Sequence, residues 1–170
     1  MKPAQFNPFA PPLPRHRARA LPWLTVVAGS LVTALPVVAT VPLLPPLGLL
    51  MLLAWRLLVR FAFRPWAAAP LGLFDDLVSG QPLGSAVLLW SLCFLLVDLV
   101  EQRLVMRDFW LDWLIASGLI AFTLAAGRFV AVPLEAHVDT AMLMQGVAAV
   151  LLFPVATRLV ARIDARRADA

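Results

Sequence analysis

Long apolar runs separated by short polar breaks make up this chain. Apolar residues run almost unbroken over 21–41, 47–63, 83–100, 109–132 and 140–160. At about 1.5 Å per helical residue, such runs approach or match the ~30 Å hydrocarbon core of a bilayer. A further run, about 66–78, is too short for this. From Trp66 to Phe74 it covers only about half of that depth before it meets Asp75 and Asp76. It ends at Ser79-Gly80-Gln81-Pro82, where glycine tolerates positive φ and proline disfavours helix at the residue before it. The pattern predicts an all-α integral membrane protein with six membrane segments, one of them short and ending in a polar turn. It divides the chain into a basic, proline-rich arm over 1–20, a transmembrane domain over 21–165 and a short tail over 166–170.

Polar residues inside the runs refine this picture. In the first, Gly29 with Thr33 and Ser30 with Ala34 repeat small residues at four-residue spacing, which permits close helix approach, and Pro36 is expected to kink the helix. The second carries Arg56 and Arg60. Arg60 can extend its charge to the interface, whereas Arg56 lies about 12 Å along the helix from Arg64 and needs a carboxylate. Asp98 in the fourth run stands at comparable depth, with Glu101 three residues on and on the same face, so Arg56 and Asp98 are expected to pair. Residues 101–108 read as a hydrophilic link and 133–139 as a short acidic loop. Trp110 and Trp113 read as interfacial anchors, and Pro154 interrupts the last run.

Composition excludes a soluble globule: 62% of residues are hydrophobic, 14% are charged, and the mean hydropathy is +0.88. A pI near 11.0 could point to nucleic acid, but the 14 Lys and Arg sit at the ends of apolar runs, so no nucleic-acid partner is expected. With the N-terminus inside, six alternating segments place thirteen of those 14 on the cytoplasmic side and only Arg128 outside. This predicts an N-in, C-in topology, with Asp75, Asp76, Glu135 and Asp139 towards the outer face. A basic start before an apolar run also resembles a signal peptide. The run is longer than the usual 7–15 residues and others follow, so it is read as the first span.

Candidate chemistry is sparse. Cys93 lies within an apolar run without a second cysteine, which leaves neither a disulfide nor a cysteine metal site. Glu135, His137 and Asp139 are three mixed ligand types on one loop, read as solvated residues. No hydrolase triad, phosphate loop or HExxH motif is present, so no cofactor and no enzymatic activity are expected. The aspartate pair remains. Either it ends a helix at the membrane surface, or Asp76 turns inward and accepts hydrogen bonds from Ser79 or the Gly80 amide, with Arg128 supplying charge. In the second case Gly80 and Gly84 serve backbone geometry or close packing, and Pro82 fixes the entry of the following helix.

The ordered block Gly72-Leu73-Phe74-Asp75-Asp76-Leu77-Val78-Ser79-Gly80-Gln81-Pro82-Leu83-Gly84 resembles the central signature of the bacterial rod shape-determining MreD family, with Asp76 at the family's acidic position. The Arg64-Pro65 pair before it and Phe153-Pro154 before a basic helix are also similar, and the resemblance covers about 21–165. The arginines of the second run are more numerous than the family pattern leads one to expect. The resemblance implies a non-catalytic inner-membrane scaffold of cell-wall elongation. Its implied partners are an MreC-like bitopic protein, a glycosyltransferase and a class B transpeptidase, with the actin-like MreB filament acting indirectly. The motif residues Gly72, Asp75, Asp76, Ser79, Gly80, Pro82, Leu83 and Gly84 then form the partner-binding or structural site. The competing reading is a small-molecule carrier, or the substrate-binding membrane component of a vitamin transporter, whose six-helix fold the family resembles; the outer acids would then line a pocket.

Overall fold

The structure, a computed structural model, describes residues 15–34, 45–59, 62–103, 108–130 and 138–168. Helices are its regular elements throughout: α1 (Arg15–Thr33), α2 (Leu47–Leu58), a 3-10 turn (Pro65–Ala67) that leads into α3 (Ala68–Ser79), α4 (Ser85–Arg103), α5 (Phe109–Val130) and α6 (Val138–Ala168). The helices α4, α5 and α6 are long and apolar enough to cross a membrane, and the apolar stretches Ala20–Thr33 and Leu47–Leu58 are shorter. Successive helices run in opposite directions. One end of the bundle gathers the end of α1, the start of α2 and the α3–α4 turn; the other gathers Arg56, Arg64, Arg103, Arg158 and Arg162.

The helix α2 forms the centre. At 12 residues it is about 18 Å long, well short of the hydrocarbon core. Every residue from Gly48 to Leu57 is buried, including Trp55 and Arg56. Such a helix is stable at membrane depth only where other helices enclose it and its ends find polar partners. It packs chiefly on α1 and α6. The Trp55 indole N–H donates to Thr25 Oγ1 of α1 at 2.8 Å, and that hydroxyl donates in turn to the Pro22 carbonyl at 2.9 Å.

Glycines set how closely the backbones approach. A Cβ on Gly29 would stand 2.9 Å from the Leu47 carbonyl oxygen, and one on Gly72 would stand 2.7 Å from the Val87 nitrogen. Both obstacles are backbone, which cannot swing aside. At the basic end, aromatic rings fill the space: Trp23 of α1 meets Phe63 at 6.0 Å and Trp66 at 5.9 Å, while Phe63 reaches Phe94 of α4 at 6.1 Å. Such aromatic groups suit the boundary between hydrocarbon and headgroups.

Several boundaries differ from the sequence reading. α1 begins at Arg15, inside the stretch read as an extended arm, because 15–21 contains good helix formers and no proline. Its end at Thr33 leaves Pro36 outside the described residues. α2 stops at Leu58, five residues before the predicted end at Phe63, where Val59 turns extended. Glu101 belongs to α4 instead of a link, and Asp139 to α6 instead of a loop, while Glu135 and His137 lie outside the described residues. Pro154 does not break α6, which continues to Ala168 as a 31-residue helix. A proline in a helix frees the carbonyl four residues before it, here Val150. The Trp113 indole N–H of α5 donates to that oxygen at 3.1 Å, so Trp113, read as an interfacial anchor, repairs the helix that Pro154 would weaken.

The glycine geometry makes a contrast that can be measured. Gly72→Ala is expected to lower the melting temperature of the detergent-solubilised protein, through a loss of about 1–3 kcal/mol from overpacking. Gly118→Ala, where nothing lies within 4 Å, should leave it unchanged or slightly raised. Equal effects of the two substitutions, read by tryptophan fluorescence, would exclude a close α3–α4 contact at Gly72.

Candidate functional site

The α3–α4 turn is built around one carboxylate. Asp76 is 1% exposed, an extreme value for an acid. Its Oδ1 accepts from the Ser85 hydroxyl and the Ala86 amide, each at 2.8 Å; its Oδ2 accepts from the Gly84 amide at 2.9 Å and, more distantly, from the Val87 amide at 3.5 Å. These donors belong to the first turn of α4, whose amides have no partner within their own helix. Asp76 therefore caps α4 from the preceding helix. The charge also faces the positive end of the α4 dipole. Gly72, one turn before Asp76, lies on the same face of α3, and its missing side chain lets the two backbones meet at Ala86 and Val87.

The donors are not those expected from the sequence. Ser79 still belongs to α3 and is exposed, and Gly80 ends that helix in the left-handed conformation with φ +69°. The free amides lie across the turn, at the start of α4. Two glycines shape the path between them: Gly80 reverses the chain, and Gly84, at φ +97°, aims its amide back at Asp76. Pro82 is exposed, and its carbonyl accepts the Ser85 amide at 3.1 Å. Leu83 points outward, 72% exposed. The Arg128 side chain lies outside the described residues.

Asp75 faces the other way. It meets the buried Ser30 hydroxyl of α1 and the start of α2, where a Cβ on Gly48 would collide with the Ser30 oxygen and stand 3.2 Å from Asp75 Oδ1. The N-cap of α2 is Pro46, which supplies no side-chain acceptor. The adjacent aspartates thus address the starts of two different helices.

At the opposite end of α2, the buried Arg56 donates through Nη2 to Asp98, and to Glu101 Oε2 at 3.2 Å. Its guanidinium carbon stands 5.7 Å from the centre of the Phe94 ring. Phe94, Asp98 and Glu101 are spaced i, i+4, i+7 and share one face of α4, which folds around the guanidinium. Removing either side of such a pair leaves an uncompensated charge, at about 3–5 kcal/mol for a buried one. Asp98 and Glu101 keep 33% and 16% of their side-chain surface exposed, so the penalty here is smaller.

The site has three participants that the motif alone does not reveal: Ser30, Gly48 and Ser85. Ser85 carries a readable signal, since serine is favoured where a helix starts. Ser30 is legible only as a small residue, and Gly48 not at all, because its role comes from the approach of two other helices. The described residues contain no group of three metal-ligating side chains.

Asp76→Asn is expected to destabilise the protein by about 2–4 kcal/mol, since the amide places an N–H group where only acceptors fit and removes charge-assisted bonds. Ser79→Ala, which alters an exposed position outside the clamp, should be silent. Thermal unfolding in detergent distinguishes them. A wild-type melting temperature for Asp76→Asn would show that the carboxylate does not hold α4.

A family model described as rod shape-determining protein MreD matches residues 18–163, which takes in the clamp, both aspartates and the Arg56 network. No curated protein and no solved structure matches the chain.

Proposed function

The chain belongs to the MreD family, whose role is in rod shape determination and cell-wall elongation, and from that premise we propose that it acts as a non-catalytic scaffold of the inner membrane. In this reading it holds an MreC-like bitopic partner beside the glycosyltransferase and class B transpeptidase of wall elongation, with an MreB-like filament engaged indirectly. The observation that carries the reading is the clamped turn. Residues 79–84 are six consecutive exposed positions, mounted on a carboxylate that is completely satisfied internally. They carry no charge, so such a surface is recognised by shape and by Leu83. The two acids of the motif turn inward, towards α4 and α2, whereas a carrier would present them to a ligand.

The positive-inside rule supports six segments with both termini cytoplasmic, the basic end of the bundle facing the cytoplasm and the clamped turn facing outward. α2 and α3, too short to span alone, are carried to membrane depth by their neighbours.

Complementation of a deletion strain tests this reading. Leu83→Ser changes the exposed surface and leaves the Asp76 bonds intact, so membrane level should stay normal while recovery of the bitopic partner falls several-fold and cells round up. Reporter fusions after Gly80 and after Ala170 should read periplasmic and cytoplasmic respectively. Normal rods with undiminished partner recovery would remove the turn from partner binding, and a reversed pair of reporter readings would overturn the orientation.

A further inference from the structure

The last helix is longer than a membrane requires. Its 31 residues, about 45 Å long, exceed the roughly 20 that a ~30 Å core requires, and its apolar stretch runs over Leu143–Ala165, with Arg158 and Arg162 in the last third of that stretch. The outward side chains change character at that point. Leu151, Val155 and Leu159 follow one another at four-residue spacing and are 65%, 60% and 47% exposed. Arg158 and Arg162 flank Leu159 on the same outward side, both exposed, and neither makes an ion pair among the described residues. Phe153 and Val160, on the opposite side, are fully buried, so the register of the helix is fixed and the stripe cannot rotate inward.

From this arrangement we propose that the outward face of α6 is a binding site for one anionic phospholipid. Its acyl chains lie along Leu151 and Val155, and its phosphate sits between Arg158 and Arg162, over Leu159. Residues four apart on a helix have Cβ atoms about 5–6 Å apart, a spacing that lets two guanidiniums bracket one phosphate. The combination selects the ligand class. The leucine and valine stripe demands hydrocarbon, which a soluble phosphate lacks, and the arginine pair demands net negative charge, which a zwitterionic lipid lacks. The proposal does not depend on the scaffold reading, because it concerns lipid and not a protein partner.

The test is native mass spectrometry of the full chain released from an uncharged detergent and titrated with phosphatidylglycerol or with phosphatidylcholine of the same acyl chains. The expected result is a retained phosphatidylglycerol whose affinity falls about thirtyfold in the double variant R158Q/R162Q, at about fivefold per arginine near an anionic headgroup. Arg64→Gln, which removes an exposed charge at the same end of the bundle, should change it by less than twofold. Unchanged circular dichroism of the double variant establishes that folding is intact. Equal retention by the double variant, equal binding of phosphatidylcholine, a comparable loss with Arg64→Gln, or displacement of the lipid by millimolar inorganic phosphate would each overturn the proposal.

Discussion

The bond between one carboxylate and the first turn of the next helix holds this bundle in register. In hydrocarbon, the amides that open a helix have no water to bind, and an isolated carboxylate is expensive to insert. Asp76 and the start of α4 each supply what the other lacks. Geometry elsewhere follows from that match. Gly72 must be bare for the two helices to approach, Gly80 and Gly84 must adopt positive φ for the chain to return, and Ser85 must contribute its hydroxyl. The turn then projects from the bundle as a fixed shape.

The same rule organises the central helix. α2 begins and ends inside the bundle, and charge meets it at both ends: Asp75 beside Gly48 at the start, Arg56 in the last turn. Negative charge at the start and positive charge at the end is the arrangement that a helix dipole favours. Arg56 is in turn balanced by Asp98 and Glu101. The buried charges described here thus stand at helix ends and bind neighbouring helices together.

Much of this is legible in the sequence, for physical reasons. Membrane helices announce themselves by apolar length, so α4 and α5 lie close to their expected bounds, and the matching depth of Arg56 and Asp98 along their helices is enough to pair them. The motif marks the turn. Cross-helix detail is what the linear chain conceals. It suggests donors for Asp76 from its own side of the turn, because sequence proximity says nothing of which amides are left free by helix geometry. Gly48 gives no signal, since its need for a bare backbone is created by Ser30 and Asp75 on other helices. Pro154 reads as an interruption because the compensating Trp113 stands 41 positions away in sequence and on another helix.

The central claim, that Asp76 holds the first turn of α4, is tested most directly by amide hydrogen exchange of residues 84–87 in wild type and in Asp76→Asn, both in lipid nanodiscs. With the carboxylate in place those amides should be protected like the middle of α4; in the variant their exchange should accelerate on the order of thirtyfold, for a local loss of about 2 kcal/mol, while α5 and α6 stay unchanged. Identical exchange at Gly84 and Ala86 in the two proteins would contradict the account.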